Sequence, residues 1–166
     1  MIYIHPSSYI GTHEDLFESS ISIGKYTSIG NNIKFLDSDH PSATLPVVSN
    51  FPFHEKWQDA RYPKCFGKRI IEIGNDVWIG DGVILIAPLK IENGAIIGAG
   101  SVVASNVIEY SVSWGNPCKM HGIRFTTEQR HFLNQIKWWD WEESIIRERL
   151  SDMTDINSFI SKYGKS

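Results

Sequence analysis

From Ile70 to Val103 the chain reads IIEIGNDVWIGDGVILIAPLKIENGAIIGAGSVV, and its aliphatic residues recur every six positions. Ile73, Ile79, Leu85, Ile91, Ile97 and Val103 hold one phase of this period. The residue after each is small at Gly74, Gly80 and Gly98, and is Ile86 or Glu92 at two of the others. The fifth member of each hexad is Val77, Val83, Leu89, Ala95, Ser101 or Val107, all small or aliphatic. A helix cannot use such a pattern, because six residues turn it through about 600° and scatter the aliphatics round the axis. Strands accept an even spacing, but a glycine, asparagine or proline in almost every hexad forces a bend after each one. Short strands joined by bends are the natural solution, and a fixed short period marks a repeat architecture.

A coil with three short sides satisfies the period. Each side takes one hexad, its aliphatic residue points inward, and three hexads close a turn. Residue i then stacks on i+18, which predicts Ile73 over Ile91, Ile79 over Ile97 and Leu85 over Val103. Successive coils form parallel ladders about 4.8 Å apart. The interior is a prism filled by side chains, so binding and chemistry belong on its outside, between subunits or on loops. Ile23, Ile29 and Phe35 carry the same rhythm earlier, with Ile4, Ile10 and Leu16 as an irregular first coil. The register slips by one between Leu16 and Ile23, which predicts a bulge or small loop in THEDLFESS.

The period stops at His40. Residues 41–69 have none, and Pro41, Pro46, Pro52 and Pro63 interrupt regular structure there. So long a loop in a compact domain is usually functional or disordered. Its aromatics Phe51, Phe53, Trp57, Tyr62 and Phe66 argue against disorder. After Val107 the repeat fades. Thr126 and Gln129 then form a plausible capping box for a helix whose apolar side is Phe132, Leu133, Ile136 and Trp138 or Trp139. Further helical segments are predicted through Ile145, Ile146 and Leu150 and from about Asp155 to Tyr163. A bare coil end exposes unpaired backbone and core, so covering the final coil is the expected work of this tail. The pattern therefore divides the chain into a repeat region, residues 1–125 with the inserted loop 41–69, and a helical region, residues 126–166.

Composition narrows the classes. The 166 residues suffice for one domain, and a formal net charge of -3 gives no general electrostatic case for nucleic acid. No apolar run reaches membrane-spanning length. The first residues, MIYIHPSSYIG, lack a basic region and a long apolar run, so no signal peptide is expected and the cytoplasm is the expected location. Cys65 and Cys118 lack metal-site spacing and read as free thiols.

With IGKYTSIG, DSDHPSATLPVVSNFPF, IGNDVWIGDGVIL, IIGAGSVV, GNPCK and KWWDW in this order, the chain resembles the hexapeptide-repeat acyltransferases, and among them the xenobiotic acetyltransferases and sugar O-acetyltransferases. The resemblance implies a mainly β fold, a left-handed parallel β-helix with a protruding loop and a C-terminal helical cap. The hand comes from the resemblance alone, since general crossover rules favour the right-handed connection. It implies a homotrimer with active sites between subunits and acetyl-CoA as co-substrate, with no metal, no nucleic acid and no membrane insertion.

The resemblance also assigns residues. His40 stands where family members carry their catalytic histidine. An imidazole of pKa near 6.5 is largely neutral at pH 7 and can take the proton of an attacking hydroxyl. Trp78, the sixth residue of its hexad, should point outward, and a subunit interface, the pantetheine arm of CoA or its own loop would have to cover it. Ala87, Gly98, Ala99, Gly100 and Ser101 are candidates for the pantetheine arm, and Lys119 and Arg124 for a CoA phosphate. Asp39, Phe51, Phe53 and Trp57 are candidates for the acceptor. The expected activity is transfer of an acetyl group to a hydroxyl, or to an amino group, of a sugar or surface polysaccharide unit. The spelling DHPSAT…NFPF leans that way. An antibiotic acceptor of the streptogramin or chloramphenicol type is one alternative, and a non-catalytic trimeric scaffold is another. A covalent route through Cys65, with Lys64 and Lys68 beside it, or through Cys118 is the rival chemistry.

Overall fold

The computed structural model describes residues 2–15, 20–37, 46–63 and 70–164. Their strands form three sheets. The first holds β1 (Ile2–Ile4), β4 (Ser20–Ile23), β7 (Ile70–Ile73) and β10 (Leu89–Ile91). The second holds β2 (Tyr9–Ile10), β5 (Ser28–Ile29), β8 (Trp78–Ile79), β11 (Ile96–Ile97), β13 (Ser111–Trp114) and β14 (Lys119–Ile123). The third holds β3 (His13–Asp15), β6 (Ile33–Asp37), β9 (Ile84–Ala87) and β12 (Val102–Val103). Neighbouring strands are parallel except β13 and β14. The chain visits the three sheets in turn, which is a parallel β-helix.

The predicted stacking is met residue for residue. Ile73 pairs with Ile91, Ile79 with Ile97 and Leu85 with Val103. One coil earlier, Ile23 pairs with Ile73, Ile29 with Ile79 and Phe35 with Leu85, across the inserted loop. Ile4 pairs with Ile23 and Ile10 with Ile29, one residue more than the regular step, as the slip in register requires. Leu16, in the segment expected to bulge, lies outside the described residues. All of these inward side chains from Ile23 onward are buried and form one core. Among the described residues Thr27 is the one polar inward residue of its coil. Its hydroxyl donates to the Gly74 carbonyl at 2.8 Å and accepts from the Val77 N–H at 3.2 Å, so it is buried with its hydrogen bonds made.

Polar side chains close the corners. Asn75 Oδ1 accepts from the Lys25 N–H at 2.8 Å, and Asn93 Oδ1 accepts from the Asn75 N–H at 2.9 Å, one coil on. Asp81 Oδ1 accepts from the Asn31 N–H at 2.7 Å at the next corner. Coils approach too closely there for a side chain: a Cβ on Gly80 would lie 2.7 Å from the Ala99 nitrogen. Gly94 combines φ +69° with a Tyr110 ring atom 2.2 Å from where its Cβ would be, so glycine is required twice over.

Past Val103 the column continues where the repeat had faded. Val107 bridges Ile91, and Ser113 pairs with Ile97. The small polar Ser111 and Ser113 take inward places, which hid the coil from an aliphatic count. The chain then reverses at Gly115 (φ +106°), and β14 returns antiparallel to β13.

The helical region follows. α2 (Thr127–Ile136) begins with the predicted capping box of Thr126 and Gln129. A 3₁₀ turn at Trp138–Asp140, α3 (Glu143–Arg149), a second 3₁₀ turn at Asp152–Thr154 and α4 (Ile156–Tyr163) complete it. Leu133 and Phe159 pack with Tyr110 of the last coil, as a cover for that coil would. The region also runs along one corner of the column. Trp138 meets Tyr26 with ring centroids 5.2 Å apart, and Lys25 pairs with Asp140 at 2.8 Å. Arg130 pairs with Glu109 at 3.2 Å. Ile146 is buried, whereas Leu150, counted with the apolar positions of its segment, is exposed. Among its described residues the loop has one short helix, α1 (Phe53–Trp57). No helix among the described residues is long and apolar enough to cross a membrane.

If the inward ladder holds the fold, Ile79→Ala should lower the unfolding free energy in urea by about 2–5 kcal/mol. The outward Glu72→Ala should change it by less than about 0.5 kcal/mol. Equal effects would contradict this reading of the column.

Candidate functional site

The outward residues of each sheet also stack in register, and the first two faces differ. On the first sheet Tyr3, Ser22, Glu72 and Lys90 follow one another, a largely polar stripe. On the second the stripe is Tyr9, Ser28, Trp78, Ile96 and Val112. Tyr9 is 63% exposed and Trp78 56%, large values for two aromatics set one coil apart from Ser28. The Ser28 hydroxyl donates to the Tyr9 phenolic oxygen and ties the first two rungs.

Beside this stripe, at the corner towards the third sheet, lies a groove of about 650 Å3. Tyr9, Ser28, Asn31, Trp78, Asp81 and Ala99 are among its lining residues. One wall is aromatic and the other is made of corner residues with little side-chain bulk. That combination suits a long amide-bearing chain, which needs apolar contact and close approach to backbone. The volume falls in the range of small-molecule sites.

The residues expected to bind the co-substrate separate into groups. Trp78 and Ala99 share the groove, with Gly98 and Gly100 next to Ala99 in the chain. Gly100 lies at φ +69°, and a Cβ there would meet nothing within 4 Å, so this corner is open. The side chains of Ala87 and Ser101 are buried, Ser101 at the inward fifth place of its hexad and Ala87 at the end of β9, so each could offer only backbone groups. The Ser101 hydroxyl donates to the Gly98 carbonyl at 2.6 Å and accepts from the Gly115 N–H at 3.1 Å, which fixes the reversal at GNPCK. Lys119 is exposed on β14 and lines a different cavity, with Ser105, Asn106 and Cys118. Arg124 is not a free phosphate partner. Its Nη1 donates to Asp76 Oδ2 at 3.2 Å and to the Gly94 carbonyl at 2.8 Å, and its guanidinium lies 4.9 Å from the Phe125 ring centroid. It anchors the strand-to-helix connection to the corner of the column. Burial raises the Asp76 carboxyl above the usual range, with Arg124 acting in the opposite direction.

The acceptor candidates in the loop do come together. Phe53 lies with its ring centroid 4.8 Å from Phe51 and 4.5 Å from Trp57, and Tyr62 meets Phe53 at 5.1 Å. His54 Nδ1 donates to the Tyr62 carbonyl at 3.1 Å. Phe51 and Trp57 remain exposed, so the cluster offers ring faces to whatever approaches it. His40, Asp39 and Cys65 lie outside the described residues. Cys118 is partly buried against the core, and that burial raises its thiol pKa, with a Ser101 hydrogen bond acting the other way. A thiol so placed is a poor nucleophile at neutral pH.

The sequence reading singled out Trp78 alone on the aromatic wall and missed Tyr9, Ser28, Asn31 and Asp81. The signal was present: the residue before each inward aliphatic points outward, which puts Tyr9, Ser28 and Trp78 in one phase.

Comparison with known proteins agrees with this architecture. Residues 71–105 match the model of the bacterial transferase hexapeptide, six repeats. A probable macrolide acetyltransferase of Lysinibacillus sphaericus is 32% identical over 92% of this chain and 89% of its own length. A chloramphenicol acetyltransferase of Morganella morganii is 29% identical over 97% of this chain and 76% of its own. Among solved structures, a hexapeptide-repeat acetyltransferase of Vibrio cholerae O1 biovar eltor, complexed with acetyl coenzyme A, superposes with a TM-score of 0.57 at 22% identity. That match covers 75% of this chain and 61% of the Vibrio protein, so it speaks for the fold. With a 32% identical match to the Lysinibacillus relative along nearly its full length, and the repeat itself in hand, the chain belongs to the bacterial hexapeptide-repeat transferases, and the relatives it matches along most of its length are acetyltransferases.

Proposed function

We propose that the chain transfers an acetyl group from acetyl-CoA to a hydroxyl, or an amino group, of a sugar or polysaccharide unit. The observation that carries this is the groove: Trp78 and Ala99, from neighbouring coils, line one open channel on a column whose interior is filled. The family's relatives named above are acetyltransferases, and an open wall beside a low-bulk corner suits the pantetheine arm. Trp78, Ala99 and the neighbouring Gly98 and Gly100 are the residues of this chain that would hold it, with Lys119 available for a phosphate. In this reading the exposed stripe from Tyr9 to Val112 faces a second subunit of a homotrimer, which supplies the other side of the groove. The protein works in the cytoplasm, where acetyl-CoA is made available.

His40 acts as the base. Its imidazole takes the acceptor hydroxyl proton as the oxygen bonds to the acetyl carbonyl carbon. It returns that proton to the CoA sulfur as the carbon–sulfur bond breaks. Phe51, Phe53 and Trp57 offer flat apolar faces to the ring of the acceptor, with Asp39 as a hydrogen-bond partner for it. A base of this kind contributes roughly 10²–10⁴-fold, and holding both substrates in one cleft supplies much of the remainder.

A second reading has a specific observation behind it. The relatives that match most of the chain are named for chloramphenicol and macrolide acetylation, so an antibiotic hydroxyl is the competing acceptor. Thiol release from acetyl-CoA, followed with a panel of sugars, amino sugars, chloramphenicol and a macrolide, separates the two. Turnover confined to the sugars supports the first reading, and turnover confined to the antibiotics replaces it. Failure to bind CoA at all would leave only a scaffold.

His40→Ala should fold and keep its oligomeric state while losing about 10²–10⁴-fold in kcat. Near-normal turnover would remove His40 from the mechanism. The thiol route is tested separately. In a Cys65→Ser variant, the pH at which Cys118 becomes half-reactive towards iodoacetamide should lie above that of a free cysteine thiol, because burial raises its pKa. At pH 7 it should then react more slowly than glutathione. Faster reaction would revive a covalent thiol intermediate.

A further inference from the structure

The corner beside the groove is lined with glycine and then changes. Gly11, Gly30, Gly80 and Gly98 follow the inward residues Ile10, Ile29, Ile79 and Ile97, whose strands pair in that order. The next inward residue on the line is Ser113, and the residue after it is Trp114. Its Cβ lies 2.8 Å from where a side chain on Gly98 would begin. Gly98 adjoins Ala99, which lines the groove, so Trp114 stands one rung beyond that lining. A channel of low bulk therefore ends on a large aromatic residue.

The indole is held on one face. The His121 imidazole stacks on it with ring centroids 3.8 Å apart and planes 10° from parallel. His121 is the extra residue where β14 slips in register against β13, and its Nε2 donates to the Trp114 carbonyl at 3.3 Å. Among the described residues no other ring meets Trp114, and 46% of its surface is exposed. An indole fixed on one face and open on the other is a platform for a second flat ring, as aromatic side chains are for nucleobases.

A cation stands beside this platform. Lys119, also exposed, is the register partner of Trp114 across the hairpin. Directly opposed residues of an antiparallel pair project to one face, with Cβ atoms about 4.5–5.5 Å apart. A flat ring and a positive charge side by side are what a phosphorylated nucleoside requires. Trp78 and Trp114 lie two ladder steps apart, about 10 Å, so they cannot grip one ring together and must serve different parts of an elongated ligand.

We infer that Trp114, backed by His121, stacks on the adenine of the donor and that Lys119 meets the phosphate on its ribose. The inference rests on the proposed use of acetyl-CoA in the groove and adds the end of the groove that reads the nucleotide. Trp114 then selects a nucleotide-bearing donor over a bare pantetheine thioester, without touching the acetyl group.

The test is calorimetric titration of the full chain, with no acceptor present, using CoA, 3′-dephospho-CoA and 4′-phosphopantetheine. Trp114→Ala should weaken CoA about tenfold or more, in the range for one base on one aromatic ring, and leave 4′-phosphopantetheine unchanged. Trp114→Phe, which keeps a ring, should recover most of the loss. Lys119→Gln should weaken CoA several-fold and 3′-dephospho-CoA hardly at all. Light scattering should give Trp114→Ala the same assembly mass as the unaltered chain. Undiminished CoA binding in Trp114→Ala, or an equal loss for CoA and 4′-phosphopantetheine, would overturn the inference. A smaller assembly would overturn it as well, because Trp114 would then be a subunit contact. The donor reading fails differently: the unaltered chain would not bind CoA at all, and the inference would fall with it.

Discussion

Stacking of one inward aliphatic residue on the next, coil after coil, is the interaction on which the rest of the structure depends. Ile23, Ile73 and Ile91 form one such line, Ile29, Ile79 and Ile97 a second, and Phe35, Leu85 and Val103 a third. Each line buries side chains on both neighbours while the backbone ladders satisfy the peptide groups, so neither apolar surface nor backbone polarity is left open inside. The consequence is a column filled with side chains. Whatever this molecule does to a substrate, it does on its faces, at its corners and through the segments attached to it.

The column then sorts its surface by register. Because every rung repeats the same orientation, outward residues stack as faithfully as inward ones, and a single face can become a continuous stripe of one character. The Tyr9–Ser28–Trp78–Ile96–Val112 stripe is such a case, next to a corner where bulk is kept low by the close approach of Gly80 to Ala99. In the proposed function such a wall holds the donor without moving parts. The loop contributes a separate cluster, Phe51, Phe53, Trp57 and Tyr62. The helical region is held to another corner by Arg124–Asp76, Lys25–Asp140 and Arg130–Glu109, so cap and column form one unit with a cavity at their junction.

Much of this could be read from the chain because burial enforces the period. Ile73, Ile79 and Leu85 must be aliphatic, and their spacing dictates their partners. The capping box of Thr126 and Gln129 was legible for a similar reason: two local hydrogen bonds need those two side chains. The final coil was hidden because Ser111 and Ser113 take inward places and satisfy each other and the backbone locally instead of supplying apolar bulk. Arg124 could not be placed from sequence, since its partners Asp76 and Gly94 are far away along the chain and close only through the coils. Ser101 was assigned to a ligand although the period puts its side chain inside, whereas Ala87 shares the corner phase of Asp81 and Ala99 and is buried only because its strand runs on past Leu85. The aromatic wall was half seen for a related reason: the inserted loop separates Ser28 from Trp78 by fifty positions, although their strands are adjacent.

Amide hydrogen exchange of the full chain, with and without acetyl-CoA, tests the central claim most directly. Donor binding in the groove should slow exchange at residues 78–81 and 98–100 while leaving residues 153–156, beside the other cavity, unchanged. Slowing confined to residues 153–156, or none anywhere at saturating acetyl-CoA, would contradict the placement of the donor on the Trp78 wall.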